Sequence, residues 1–164
     1  MNYNYKKRYY LTLTGRYDGS SKFAKGNRWA FFPAVSVGWR IDKENFMQNV
    51  RAVDVLKLRG SVGEMGNQAI GNYEYLMAVL ANKSYNYSFG AAIKDFVDEN
   101  ISWETTRTYN LGLDFEAFDH RLLFSVDLYK KRTEGILRDV KIPAQIGNLN
   151  GPKQNIGVVA NDGV

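Results

Sequence analysis

From position 29 to 41 every second residue is large and apolar or proline: Trp29, Phe31, Pro33, Val35, Val37, Trp39 and Ile41. Between them stand mostly small or polar residues: Ala30, Phe32, Ala34, Ser36, Gly38 and Arg40. A period of two reads as a strand with one oily face and one mixed face. Soluble strands rarely run this long, and rarely place a Trp near each end of the oily face. A strand that crosses a bilayer needs roughly 9–11 residues, alternates apolar with polar, and carries aromatic residues at both interfaces. The pattern predicts a piece of transmembrane β-barrel.

The same alternation recurs along the chain. Over 9–17, Tyr9, Leu11, Leu13 and Tyr17 share one face, and Tyr10, Thr12, Thr14 and Arg16 share the other. Asp18-Gly19-Ser20-Ser21 is turn chemistry, so this strand and 29–41 make a hairpin. Segment 42–54 lacks the alternation and reads as a turn region with a short helix. A third strand, 55–63, sets Leu56, Leu58 and Val62 opposite Lys57, Arg59 and Ser61. Segment 64–102 is irregular, broken at Gly66-Asn67 and Gly71-Asn72, with local strands expected at 73–80 and 85–89. A fourth strand, 103–117, sets Tyr109, Leu111, Leu113 and Phe115 opposite Asn110, Gly112, Asp114 and Glu116. A tight turn at Phe118-Asp119-His120 leads to a fifth, 121–133, with Leu122, Phe124, Val126 and Leu128 on one face. Segment 133–154 reads as loop, and a last strand begins near Asn155. The fold class is therefore all-β, a stretch of large antiparallel transmembrane barrel with about five strands plus the start of a sixth.

Connection lengths alternate. Those at 18–28, 64–102 and 133–154 are long, that at 118–120 is short, and 42–54 is intermediate. Outer-membrane barrels join strands by short periplasmic turns and longer extracellular loops. A soluble sandwich has no reason to sort its loops this way. The alternative reading is a soluble all-β carbohydrate- or protein-binding module.

Composition narrows the chemistry. There is no Cys and one His among 164 residues, which leaves neither a disulfide framework nor a multi-His metal site. The mean hydropathy is −0.40, and nothing approaches the roughly 18 apolar residues of a membrane helix. A barrel tolerates such an average, because half of each strand faces a polar interior. The net charge of +5 does not point to nucleic acid, because the basic residues are scattered among turns and mixed faces. Segment 1–10 has no apolar core of a signal peptide. A barrel needs one to reach the outer membrane, so either the chain is a fragment of a longer protein or the membrane reading is wrong.

Several segments resemble one family, in matching order: Lys7-Arg8-Tyr9-Tyr10-Leu11, Asp18-Gly19-Ser20-Ser21-Lys22-Phe23, Phe32-Pro33-Ala34-Val35-Ser36-Val37-Gly38-Trp39-Arg40, Leu56-Lys57-Leu58-Arg59-Gly60-Ser61-Val62-Gly63, Gly66-Asn67-Gln68, Trp103-Glu104-Thr105-Thr106, Asn110-Leu111-Gly112-Leu113-Asp114, Asn155-Ile156-Gly157 and Asn161-Asp162-Gly163-Val164. The chain resembles barrel from the SusC/RagA-type TonB-dependent outer-membrane transporters of Bacteroidetes. The resemblance implies a plugged barrel of about 22 strands, with residues 1–164 a partial barrel and the plug domain and signal peptide outside it. Tyr3 and Tyr5 then end an earlier strand, with a periplasmic turn at Lys6-Lys7-Arg8. It further implies import of oligosaccharides or peptides, a SusD-like surface lipoprotein over the extracellular mouth, contact with outer-membrane lipid, and energy through TonB by way of the missing N-terminal part.

No residues suggest catalysis, a cofactor or a metal. His120 beside Asp119 reads as an exposed turn residue, and Asp95, Asp98 and Glu99 lack the regular spacing of a Ca²⁺ loop. The ligand candidates are loop aromatics, Tyr85 and Tyr87 above all, since alternate rings share one face and present a stacking surface with a hydroxyl. Trp29, Trp39 and Trp103 are expected as interface anchors, and Arg16, Arg40, Lys57 and Arg59 as interior-facing cations.

Overall fold

The alternating segments pair, each with the next, into one antiparallel meander. The computed structural model describes residues 1–50, 52–85, 88–93, 95–143, 145 and 151–164, with backbone alone at 82–85. Its strands are β1 (Asn2–Tyr5), β2 (Tyr9–Gly19), β3 (Trp29–Arg40), β4 (Val53–Asn67), β5 (Val79–Tyr85), β6 (Ser88–Ile93), β7 (Glu104–Ala117), β8 (Leu122–Glu134), β9 (Leu137–Asp139), β10 (Lys153–Asn155) and β11 (Val158–Gly163). The main sheet runs β1-β2-β3-β4-β7-β8-β11, and β5-β6 and β9-β10 are separate two-stranded ribbons inside the long connections.

The register keeps each face continuous. Leu13 pairs with Val35, Val35 with Val62, and Val62 with Tyr109, all apolar. One step along, Thr12 pairs with Ser36, Ser36 with Ser61, and Ser61 with Asn110, all polar. The apolar stretch reaches Trp29 on β3 but stops at Val62 on β4, Tyr109 on β7 and Leu128 on β8. The next residues on that face are Glu64, Arg107 and Lys130. At the other end the stretch reaches Trp39 on β3 and Leu122 on β8. The apolar band thus crosses the strands diagonally, as it does where strands tilt against a membrane.

No second layer covers this face among the described residues. Tyr17, Trp29, Phe31, Val37, Leu111 and Phe124 all stand exposed on it. The chain exposes 12019 Å², against about 8,300 Å² for a compact monomer of its mass. A soluble sandwich would have buried the difference.

The buried core lies instead among the long loops. Phe23, Ile70 and Ile101 are buried together, with Tyr75, Trp103 and Leu137 packed on them. Trp103 packs tilted on Phe23 at 5.3 Å and edge-on to Phe32 at 5.5 Å, and its indole N–H donates to the Arg28 carbonyl at 3.2 Å. Trp103 is therefore a loop-core residue and not the interface anchor its size predicts.

Other departures have local causes. β4 continues through Asn67, past the expected end at Gly63 and through the Gly66-Asn67 that read as a breaker, because β7 pairs with it as far as Glu104. Segment 73–78 is not strand: Tyr73 has φ 62° and Leu76 closes a turn on its carbonyl. The loop after β8 contains the β9-β10 ribbon. Asn155 ends that ribbon, and the main sheet resumes only at Val158. Between β3 and β4 the expected short helix is two 3-10 turns, Ile41–Lys43 and Asn45–Met47. Asp42 holds this connection, accepting from Arg40 at 2.7 Å and from the Leu56 N–H at 3.2 Å. Burial works against its charge, but these donors outweigh it and hold the carboxyl below its usual range.

The face assignment has a direct test in the intact membrane protein. An Arg in place of an apolar lipid-facing residue costs about 2–4 kcal/mol at the midplane. Val35→Arg should block barrel assembly and Ser36→Arg should permit it, scored by the heat-shifted band on gels. Equal yields would mean that the faces are exchanged, because one residue of slip swaps them.

Candidate functional site

Three surfaces carry chemistry. The first is the apolar face with its aromatic ends. Tyr17 and Trp29 stack at 5.1 Å where β2 meets β3 beside the long loops. Tyr9 and Trp39 stack at 6.4 Å at the opposite end, with Tyr5 6.4 Å from Tyr9. The Tyr9 hydroxyl and the Trp39 indole N–H both donate to Glu44, at 2.5 and 3.1 Å. These donors hold the Glu44 carboxyl below its usual range. Rings with a wet polar edge suit a membrane–water boundary.

The second surface is the polar face. Arg59 of β4, Gly112 of β7 and Asp127 of β8 are direct cross-strand neighbours. Arg59 lies across the glycine, 2.8 Å from Asp114 and 3.0 Å from Asp127. A Cβ at Gly112 would stand 2.5 Å from Asp127 Oδ1 and 2.8 Å from the Arg59 guanidinium, so a side chain there would push both off the path the cation takes across β7. Ser125 donates to Asp114 at 2.9 Å. The other expected interior cations sit on this face too. Arg16 pairs with Asp18 at 2.7 Å, Arg40 with Asp42 at 2.7 Å, and the Lys57 ammonium lies 5.9 Å from the Tyr10 ring centre.

The third surface is the end formed by the long loops. Asn155 clamps two of them. Its side chain accepts from the Ser102 N–H at 2.8 Å and donates to the carbonyls of Ser102 and Gly135, both at 2.9 Å. Gly157 then turns the chain from ribbon to sheet at φ 87°. The Asn155-Ile156-Gly157 segment thus does local structural work: a clamp, then a left-handed turn. Asn27 similarly donates to the Asn100 carbonyl at 2.8 Å, and Glu104 accepts from the Leu137 N–H at 3.1 Å.

Between these clamped loops opens a cavity of about 860 Å³. Tyr73, Leu76, Met77, Phe96 and Ile142 supply its apolar lining. Lys153 stands at its rim, 3.0 Å from Glu74 and 3.7 Å from Asp139. Sequence reading missed it, because its walls come from segments about seventy residues apart.

The two predicted ligand residues divide. Tyr85 is the last residue of β5 and pairs with Ser88 of β6. Tyr87 lies outside the described residues. Of the other loop rings, Tyr75 packs on the core, Tyr73 lines the cavity, and Phe89 is 91% exposed. His120 is an exposed turn residue as expected. Its Nδ1 lies 2.6 Å from Glu116, and its N–H donates to Asp54 at 3.0 Å.

A tilted antiparallel meander with one apolar face, aromatic ends, a polar reverse face, and loops sorted by length is a section of transmembrane β-barrel wall. The whole chain, residues 1–164, matches the family model described as TonB dependent receptor-like, beta-barrel. It is 40% identical to the TonB-dependent receptor SusC of Bacteroides thetaiotaomicron, covering 100% of this chain and 17% of that protein. It is also 40% identical to TonB-dependent receptor P26 of Formosa agariphila, covering 99% of this chain and 17% of that protein. Among solved structures, that of the RagAB peptide transporter superposes with a TM-score of 0.86 at 34% identity, over 99% of this chain and 18% of that one. The chain belongs to the TonB-dependent receptor β-barrel family, whose members are barrels of the outer membrane. It spans about one sixth of the length of the relatives it matches.

Two outcomes follow from these geometries, both to be read in the intact receptor. Asn155→Ala strips partners from three backbone groups, and each partly buried group left unpaired costs about 1–3 kcal/mol. Limited proteolysis should cut the long loops faster than in the parent, while the heat-shifted barrel band persists. Unchanged loop cleavage would remove Asn155 from its role as clamp. The second concerns pH. Glu116 raises the His120 pKa above its ordinary value by accepting its ring N–H. A raised pKa makes the contact's stabilisation complete below about pH 6.5, and it is lost as pH rises through the raised value. Glu116→Gln should bring the His120 titration, followed by NMR, down toward that ordinary value, and an unmoved midpoint would refute the pairing.

Proposed function

We propose that this chain forms part of the wall of an outer-membrane, TonB-dependent importer of the SusC kind, which takes up oligosaccharides or peptides. In this reading the long loops face outward toward a SusD-like surface lipoprotein. Elsewhere in the same protein a plug domain closes the barrel and receives energy through TonB. The role is transport and not catalysis. The observation that carries the reading is the two-faced sheet crowned at one end by a cavity between long loops. Matches to a receptor named SusC and to a transporter named for peptides support the substrate range.

The loop end is the proposed contact zone for substrate, with Tyr85 and Tyr87 as the stacking candidates. Uptake of labelled oligosaccharides and peptides by cells carrying the full receptor tests this. Deleting either the receptor or TonB should abolish uptake of one substrate class. Uptake that survives loss of TonB would overturn the reading. Replacing Tyr85 and Tyr87 together by Ala should lower uptake several-fold, as loss of one or two ring contacts does, with receptor abundance unchanged. Full uptake would remove both residues from the substrate path.

A further inference from the structure

The apolar face has a gap at Gly60. In the pairing across the sheet, Gly60 of β4 stands between Val37 of β3 and Leu111 of β7. Its neighbours in that row carry branched side chains, and Gly60 carries none. The result is an open groove of about 430 Å³ on the face that meets lipid, walled by Leu11, Val37, Trp39, Leu58 and Leu111. The glycine is not forced by a backbone clash. A Cβ there would meet only the Val37 methyl, at 3.4 Å. The strand has room for a larger residue, and the vacancy is a surface feature in its own right.

What lies at the groove's short-turn end gives it a direction. The Tyr9 and Trp39 rings border it there, with their polar atoms turned onto Glu44. Immediately before Tyr9 in the chain, the β1–β2 turn places Lys6, Lys7 and Arg8 in succession. Arg8 is engaged by Glu44 at 3.3 Å and by Asn45 at 3.1 Å. Lys6 and Lys7 are exposed and enter no ion pair among the described residues. The Lys6 ammonium lies 5.3 Å from the Tyr5 ring centre, at the aromatic border. An apolar slot, then aromatic rings, then unpaired cations is the order of an acyl chain, a glycerol ester and a phosphate.

We propose that this groove and turn bind one phospholipid of the periplasmic leaflet, with an acyl chain in the Gly60 groove and an anionic headgroup against Lys6 and Lys7. The inference rests on the reading of the apolar face as lipid-facing wall with the short turns toward the periplasm. The unpaired cations favour an anionic headgroup over a zwitterionic one.

The test uses the full receptor, purified in detergent from outer membranes and followed by native mass spectrometry with added phosphatidylglycerol or phosphatidylcholine. The parent should retain one phosphatidylglycerol through activation that strips the remaining lipid. Gly60→Leu fills the groove and should lose that retained species. Lys6→Asn with Lys7→Asn removes the charge and keeps residues suited to the positive φ of 52° and 55° at these positions. This pair should abolish the preference for phosphatidylglycerol over phosphatidylcholine. Equal retention by the parent and Gly60→Leu overturns the proposal, as does an unchanged preference in the lysine variant. If Gly60→Leu fails to assemble, the lysine variant decides alone. A heat-shifted parent from the outer membrane that retains no phosphatidylglycerol refutes the bound lipid and leaves the wall reading intact. A receptor absent from the outer-membrane fraction refutes both.

Discussion

Everything in this chain depends on strands that pair without losing their faces. From β1 to β11 the main sheet is a simple meander, and through its middle rows the ladders put apolar opposite apolar and polar opposite polar. One residue of slip in any ladder would carry a whole strand's side chains to the wrong side. The register irregularity recorded in the main sheet, between Val53 and Val55, falls at the extreme end of β4, where it disturbs no face. A membrane wall requires this continuity, because one misplaced strand would put charges such as Arg59 and Asp127 into hydrocarbon.

The two ends of the sheet solve different problems. At the short-turn end the chain reverses through residues in the left-handed region, Lys6 and Lys7 in one turn and Phe118, Asp119 and His120 in the other. Side-chain contacts such as those of Asp42 and Glu44 then fix the longer third connection. At the other end, loops too long to be held by turn geometry need a core of their own. Phe23, Ile70 and Ile101 supply it, and Asn27, Glu104 and Asn155 tie the backbones together around it.

The strands were legible in sequence because period-two alternation is local and long. Positions 29–41 announce β3 to within one residue, and the expected ends of β7 and β8 shift by a single position. The loops were less legible because their structure is set at a distance. The β9-β10 ribbon joins two segments of three residues each, too short to show a period. Trp103 looks like a girdle residue beside a strand, and only the folding back of the 20–28 connection shows that it belongs to a core. Tyr73 and Tyr75 imitate alternation, yet a positive φ at Tyr73 turns the chain. Two of the residues recognised as motif, Asn155 and Gly157, have geometric duties: a clamp on two loops and a left-handed turn. The ligand candidates Tyr85 and Tyr87 rest on chemistry alone.

Arg59 held between Asp114 and Asp127, Arg16 beside Asp18 and Arg40 beside Asp42 have one effect in common. Each of these three arginines meets a carboxylate of the same wall, so their charges cancel over a few ångströms and the field they cast into the space before them is that of small dipoles. Such a surface is wet without being sticky. In the importer proposed above, a solute moving along such a face would meet many weak, quickly exchanged contacts and little net attraction to arrest its passage.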